Sequence, residues 1–120
     1  MSIRFPGRIC LIGEHCDWYG GASLTAPLPM GISATVTPMA GGLSVDTTLD
    51  GTRLQARWST PTIDPAGGPL RFIPAAAAVL AERGMRVPPL HLTLSSDLPT
   101  GRGFSSSAAL CLAVLSLIHI

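Results

Sequence analysis

The sequence predicts an α+β fold in which helices pack against one face of a sheet. Apolar and polar residues alternate with a period of two in the stretches 23–37, 43–58 and 90–95, as they do in half-buried strands. Apolar residues recur at helical spacing over 70–83, and a second helix-forming run begins within 98–110. Strands followed by a helix, a further strand and a second helix are typical of this fold class.

The composition limits the class of protein. A chain of 120 residues with 47% hydrophobic and 12% charged residues can form one globular domain with a real core. A formal net charge of +1 predicts neither a basic surface for nucleic acid nor an acidic tail. The first residues lack a secretory signal, and the longest apolar run is too short to span a bilayer. Cys10, Cys16 and Cys111 show no metal-ligand spacing and fit reduced thiols, so we expect a cytoplasmic protein.

The first strands follow in chain order. The segment 3–12 favours β structure but is interrupted by Pro6-Gly7, which predicts two short strands with a bend between them. The segment 23–37 predicts one half-buried strand. Within 43–58 the pair Asp50-Gly51 is a strong hairpin signal, and we expect these strands to form an antiparallel meander.

A helix and a further strand follow. The helical pattern covers 70–83, and its regular part is expected to start near Ile73, because Pro74 is tolerated only in a first turn. Gly84 stands where a C-terminal cap belongs. Leucines alternate with polar residues over 90–94, where His91 is expected to be a solvated strand residue, since no partner lies at a metal-binding interval.

The stretch 98–110, L-P-T-G-R-G-F-S-S-S-A-A-L, predicts a loop that leads into the N-terminus of a helix. The first turn of a helix has unpaired backbone N–H groups and the positive end of the helix dipole, which together attract phosphate. Gly101 and Gly103 allow the backbone to approach an anion closely, and the hydroxyls at 105–107 can bind phosphate oxygens or Mg²⁺. The pattern indicates a phosphate-binding loop.

Two common phosphate loops are excluded. A Walker A loop requires lysine, whereas all eight basic side chains of this chain are arginines. The spacing G-x-G-x-x-G of a dinucleotide-binding loop is also absent. A flexible Gly/Ser connector ahead of a buried helix fits the same string and remains an alternative.

A second polar cluster lies within 6–21, P-G-R-I-C-L-I-G-E-H-C-D-W-Y-G-G. Glu14, His15 and Asp17 follow an apolar strand directly. Carboxylates accept hydrogen bonds and an imidazole can accept or donate, so this group can bind several hydroxyls of a sugar at once. From these residues alone, an ordinary polar turn is the alternative.

Taken together, the two stretches resemble the GHMP kinase superfamily, named for galactokinase, homoserine kinase, mevalonate kinase and phosphomevalonate kinase. The segment 7–21 looks like the galactokinase signature, and P-T-G-R-G-F-S-S-S-A-A at 99–109 looks like the ATP-phosphate motif of the superfamily. The resemblance extends to about residue 115 and implies the N-terminal lobe of the GHMP kinase fold, similar to domain 2 of ribosomal protein S5. It also implies phosphoryl transfer from Mg·ATP to a sugar hydroxyl, expected at C1 of galactose or a related sugar.

The resemblance implies a role for each matching residue. Arg8 matches a basic residue near the transferred phosphate and the reacting hydroxyl, which makes it the catalytic candidate and a substrate-binding one. The sugar-binding positions are matched by Glu14, His15 and Asp17. The ATP-binding positions are matched by Gly101, Gly103, Ser105, Ser106 and Ser107, of which Ser107 matches the hydroxyl that helps to hold Mg²⁺.

Three positions depart from the family pattern. Cys16 and Trp18 stand where galactokinases usually carry threonine and tyrosine, and Phe104 stands where the loop usually has leucine. The exact sugar is therefore open, and the alternatives are another GHMP kinase, for a different sugar or a mevalonate-type substrate, and a non-catalytic sensor of sugar and nucleotide. The resemblance also implies a catalytic aspartate and a second Mg²⁺ ligand beyond residue 120. We therefore expect a partial N-terminal domain that is inactive alone.

Overall fold

The computed structural model describes residues 1–49, 51–99 and 106–119. The strands are β1 (Ser2–Ile12), β2 (Leu24–Pro38), β3 (Leu43–Leu49), β4 (Thr52–Trp58) and β5 (Leu90–Ser96), and the α-helices are α1 (Phe72–Glu82) and α2 (Ser106–His119). Short 3₁₀ helices lie at Cys16–Tyr19 and Pro69–Arg71. The hairpin residue Asp50 and the loop residues Gly101, Gly103, Phe104 and Ser105 lie outside the described residues.

One face of the sheet is apolar and packs against both helices. Residues in register across neighbouring strands, such as Val36, Leu92 and Val45, form apolar rows on this face. They pack in one core with Ile73 of α1 and Val114 of α2, both fully buried. The opposite face carries polar side chains that are partly or fully exposed, among them Ser33, Thr35, Asp46 and Thr93. The predicted α+β fold, with its helices on one face of a sheet, is confirmed.

The prediction of two short strands at the N-terminus is wrong, because β1 is continuous. Pro6 pairs with Gly31 and the next pair joins Arg8 to Pro27, so Gly7 alone lies opposite three residues of β2. This irregularity is a β-bulge. β1 lies at the edge of the sheet, where proline is tolerated because its missing N–H faces no further strand. In place of the interruption predicted from Pro6-Gly7, the β1–β2 pair has a bulge whose additional residues lie in β2.

The predicted antiparallel meander is also wrong. The strand order is β1-β2-β5-β3-β4, so β5 lies between β2 and β3, antiparallel to β2 and parallel to β3. Leu90 pairs with Pro38 on one side and with Leu43 on the other. The β3–β4 hairpin is confirmed. Alternation predicts which face of a strand is buried. The same alternation occurs whichever strand pairs with it, so the pattern does not predict the strand order.

The end of α1 is confirmed as a glycine-capped terminus. Gly84 has a φ of +77°, and its N–H donates to the carbonyl of Ala81 at 3.0 Å. The N–H of Met85 donates to the carbonyl of Leu80 at 3.0 Å, which completes a Schellman motif. This cap turns the chain toward β5, whose far end leads to α2.

Within the described parts of the chain, no helix combines the length and the apolar character needed to cross a membrane.

Candidate functional site

A cleft of about 710 Å³ lies between the end of β1, the 3₁₀ helix Cys16–Tyr19 and the N-terminus of α2. Its lining comprises Arg8, Cys10, Gly13, Glu14, His15, Asp17, Trp18, Ser23, Thr25, Ser106 and Ser107. The fold therefore brings the two polar clusters, which lie near opposite ends of the sequence, into one cleft. All candidate site residues that the structure describes border it, whereas Gly101, Gly103 and Ser105 lie outside the described residues. Their individual roles remain predictions.

Arg8 lies in β1 directly after the irregular stretch of its pairing with β2. Arg4, which precedes the bulge, lies on the polar face of the sheet and donates to Ser33 Oγ at 3.0 Å. Arg8 lines the cleft beside the first residues of α2. Arg8 is also exposed, so its guanidinium is accessible to a ligand.

The turn after β1 holds its polar side chains in an unusual backbone conformation. His15 has a φ of 62° and a ψ of 1°, in the left-handed region that residues with a Cβ seldom adopt. Its ring centroid lies 5.0 Å from that of Trp18, and its Nε2 lies 3.9 Å from Oε1 of Glu14. Such strain tends to occur at binding sites. It favours a binding role for this turn over that of a plain connector.

A second cavity lies on another side of the N-terminus of α2. This apolar pocket, of about 190 Å³, shares Ser106 and Ser107 with the cleft. Its apolar walls come from separate parts of the chain and include Ile32, Leu49, Leu70, Phe72, Leu94 and Leu110. The first residues of α2 therefore separate a polar cleft from an apolar pocket.

The cleft offers oxygen ligands for Mg²⁺ but no closed metal cage. Among the residues that the structure describes, no three histidine, cysteine or carboxylate side chains are grouped to hold a metal ion. Mg²⁺ does not require such a group, because one or two protein oxygens commonly hold it together with phosphates and water. Ser107 is exposed at the second position of α2 and borders the cleft, so its hydroxyl can serve as such an oxygen. The residues fit Mg²⁺ that arrives with a phosphate ligand.

Several cleft residues were not identified from the sequence. Thr25 pairs with Cys10 between β1 and β2, and Ser23 precedes β2. The polar positions of the 23–37 alternation were the available signal, but alternation does not show which polar side chains face a cleft. The apolar pocket has no local signal at all, because its walls come from elements that are distant in sequence.

Two family models match the chain. The model of the GHMP kinases N terminal domain matches residues 71–119, and the model of the galactokinase galactose-binding signature matches residues 2–38. The first range contains the N-terminus of α2, and the second contains Arg8 and the polar turn at 14–17. The two matched ranges therefore carry the two sides of the cleft.

The curated relatives include galactokinases. That of Mycobacterium tuberculosis is 35% identical over 119 residues, which cover 98% of this chain and 32% of the relative. That of Thermotoga maritima is 30% identical over 116 residues, which cover 92% of this chain and 30% of the relative. The chain thus spans about a third of the length of these relatives.

Solved structures show the same fold. The galactokinase of Lactococcus lactis complexed with galactose is 24% identical, with a TM-score of 0.78, over 94% of this chain and 30% of that chain. The mevalonate kinase of Methanococcus jannaschii is 16% identical, with a TM-score of 0.77, over 99% of this chain and 40% of that chain. At these identities the likeness establishes the fold alone. The two family models and the curated relatives show that this chain belongs to the GHMP kinase superfamily and carries the galactokinase galactose-binding signature.

Proposed function

We propose that this chain forms the substrate-binding part of a galactokinase-like enzyme that transfers the γ-phosphoryl group of Mg·ATP to a sugar hydroxyl. The acceptor is the C1 hydroxyl of galactose or of a related sugar. The observation that carries the proposal is the single cleft shared by Arg8, the polar turn at 14–17 and the N-terminus of α2. Membership in a kinase superfamily and the similarity to galactokinases support it.

The sugar binds at the polar turn. Glu14 and Asp17 supply carboxylate oxygens that accept hydrogen bonds from hydroxyls, and His15 accepts or donates according to its tautomer. A sugar presents several hydroxyls in fixed directions, so a turn with a defined 3₁₀ backbone can select among stereoisomers. The Trp18 ring packs at a tilt against the His15 ring and supports the imidazole at one side of the cleft.

The nucleotide binds around the N-terminus of α2. This helix is 14 residues long, and its first backbone N–H groups and the positive end of its dipole favour phosphate. Ser106 and Ser107 border both cavities, so phosphates placed there meet the sugar on the polar side. The flat aromatic base of ATP, whose ring faces pack well against apolar side chains, then occupies the pocket on the other side, whose walls include Leu49 and Phe72.

Arg8 neutralises negative charge on the phosphoryl group during its transfer. Phosphoryl transfer spreads negative charge over the oxygens of the moving group, and catalysis consists mainly of positioning and neutralising that charge. The planar guanidinium of Arg8 can bind two oxygens at once while the sugar hydroxyl is held beside it. Mg²⁺, when bound with ATP, neutralises further phosphate charge, and Ser107 is the residue of this chain that would help to hold it.

A coupled assay of ADP release tests the proposal on the natural protein that carries these residues. We expect galactose, or another sugar from a panel of hexoses, to stimulate ADP release, and nuclear magnetic resonance of the product to place the new phosphate on C1. Stimulation by mevalonate and by no sugar would instead identify a mevalonate-type kinase. Tight binding of both sugar and ATP without ADP release would identify a sensor.

A further inference from the structure

Arg4 and Asp97 form an ion pair that links β1 to the residue that follows β5. Nη2 of Arg4 donates to Oδ2 and Oδ1 of Asp97 at 2.9 and 3.1 Å. Arg4 lies in β1, which carries Arg8 four residues later, and Asp97 directly follows β5. Neither residue borders the cleft.

On the first side, Arg4 contacts the bulge that directly precedes Arg8. Its Nη2 donates to the carbonyl of Pro29, which lies in the part of β2 opposite Gly7. Its Nη1 donates to Ser33 Oγ beyond the bulge. The guanidinium therefore spans the irregular stretch of β2, where ladder hydrogen bonds between the strands are interrupted.

On the second side, Asp97 anchors the chain just before the segment that leads to α2. Oδ1 of Asp97 accepts the N–H of Gly31 at 2.6 Å, and the N–H of Asp97 donates to the carbonyl of Gly31 at 3.3 Å. The adjacent Leu98 is buried and packs with Ala109 of α2. The Gly31 N–H, and then Arg4, hold the pKa of the Asp97 carboxyl below its ordinary value, so the carboxylate stays charged in neutral solution.

We propose that Arg4 is a positioning residue that fixes the two sides of the cleft relative to each other, with Asp97 as its partner. It holds the β2 side of the bulge that precedes Arg8, and through Asp97 it holds the adjacent Leu98, which packs with Ala109 of α2. Both side chains are about half exposed, at 46% and 57%, and an exposed pair of this kind contributes little to stability. Its main effect is therefore geometric, and displacement of a binding group by even 1 Å weakens function strongly.

The inference rests on the proposed function, and its test separates the two. Arg4→Ala and Asp97→Asn are compared singly and together, because the introduced asparagine retains an acceptor for the Gly31 N–H and removes only the charge. Arg53→Ala is the control, since Arg53 is an exposed arginine that makes an ion pair with Asp46 on the β3–β4 hairpin. Calorimetry measures the Kd values of Mg²⁺·AMP-PNP and of galactose, and hydrogen exchange measures protection of the Gly31 and Leu98 amides.

For the natural protein that carries these residues, we expect Arg4→Ala to weaken both affinities by about tenfold or more. In the Asp97→Asn background, the same change is expected to cost much less, because the two residues act as a unit. Protection of Gly31 and Leu98 is expected to fall with Arg4→Ala and to persist with Arg53→Ala. Arg4→Lys keeps the charge without the planar fork, and we expect it to lose affinity at an unchanged melting temperature.

Equal effects of Arg4→Ala and Arg53→Ala, or strictly additive effects of Arg4→Ala and Asp97→Asn, would overturn the positioning role. If Arg4→Ala does not fold, Arg4→Lys decides the question by the same measurements. If the parent protein binds neither AMP-PNP nor galactose, the proposed function fails. The exchange protection of Gly31 and Leu98 in the variants then decides by itself whether Arg4 fixes this part of the fold.

Discussion

Arg8 of β1 and Ser107 of α2 border the same cleft, although they lie near opposite ends of the chain. Arg8 directly follows the bulge opposite Gly7, and Ser107 reaches the cleft because α2 packs across β1 and β2. A guanidinium and the first turn of a helix are both anion-binding groups, and in this position they can act on one phosphate from two directions. Substitution of Arg8 is expected to change mainly kcat, and substitution of Ser107 is expected to change the affinity for the nucleotide.

Arg8→Lys is expected to lower kcat by roughly 10²- to 10³-fold with little change in KM. Lysine keeps the charge but loses the planar fork that can hold two oxygens of the moving phosphoryl group. Steady-state kinetics of the natural protein with saturating ATP measures both constants. A large rise in KM at unchanged kcat would contradict the assignment of Arg8 to the transition state.

Asp17→Ala is expected to show the converse pattern, with the sugar KM raised by about tenfold or more and kcat lowered less. The carboxylate of Asp17 accepts hydrogen bonds from hydroxyls equally before and during transfer, so its loss removes uniform binding. The same kinetic measurements with varied sugar concentration check this result. The ATP KM serves as the internal control and should stay constant.

Ser107→Ala is expected to weaken the binding of Mg²⁺·AMP-PNP by about three- to tenfold, because one hydroxyl that binds Mg²⁺ or phosphate is lost. Calorimetry with and without Mg²⁺ separates the two contributions. Ser116→Ala is the matched control, since Ser116 lies in the same helix and borders neither cavity. Equal affinities of the two variants would remove Ser107 from the nucleotide site.

Gly31→Ala is expected to lower the free energy of unfolding by about 1–3 kcal/mol, the usual cost of overpacking. A Cβ at Gly31 would overlap the carbonyl oxygen of Phe5, which lies across the β1–β2 pair beside the bulge. Gly41→Ala is the control, because a Cβ there has no described atom within 4 Å. Urea unfolding of both variants measures the difference in the free energy of unfolding. An unchanged value for Gly31→Ala would mean that the two strands move apart without cost.

Asp46→Asn is expected to change the acid dependence of stability. Hydrogen bonds from Arg53, and then from Gln55, lower the pKa of Asp46 from 3.8 to about 2. A carboxyl with a depressed folded-state pKa stabilises the fold fully above its unfolded pKa, and this contribution is lost as the pH falls through the folded pKa. The stability difference between parent and variant should therefore be constant above about pH 5 and shrink between about pH 4 and pH 2. Urea unfolding across this range checks the trend, and a difference that grows toward low pH would have the wrong sign.

Much of the candidate site could be predicted because its residues form short, dense clusters. Glu14, His15 and Asp17 are adjacent in sequence, and the serines at 105–107 precede a helix-forming run, so each cluster has a local signal. Arg4 and Asp97 have none. An exposed arginine in a strand and an aspartate after another strand are common, and only the pairing of β1, β2 and β5 brings them within 2.9 Å.

The sequence by itself determined the number and type of most elements, the apolar face of each strand and the glycine cap of α1. These properties depend on neighbouring residues, because burial follows the period of the local backbone. The tertiary structure alone decided that β5 inserts between β2 and β3 and that β1 continues through a bulge. A strand offers the same hydrogen-bonding groups on both edges, whatever its neighbour. Packing between distant segments therefore decides which strands pair. This pairing brings the two polar clusters into one cleft.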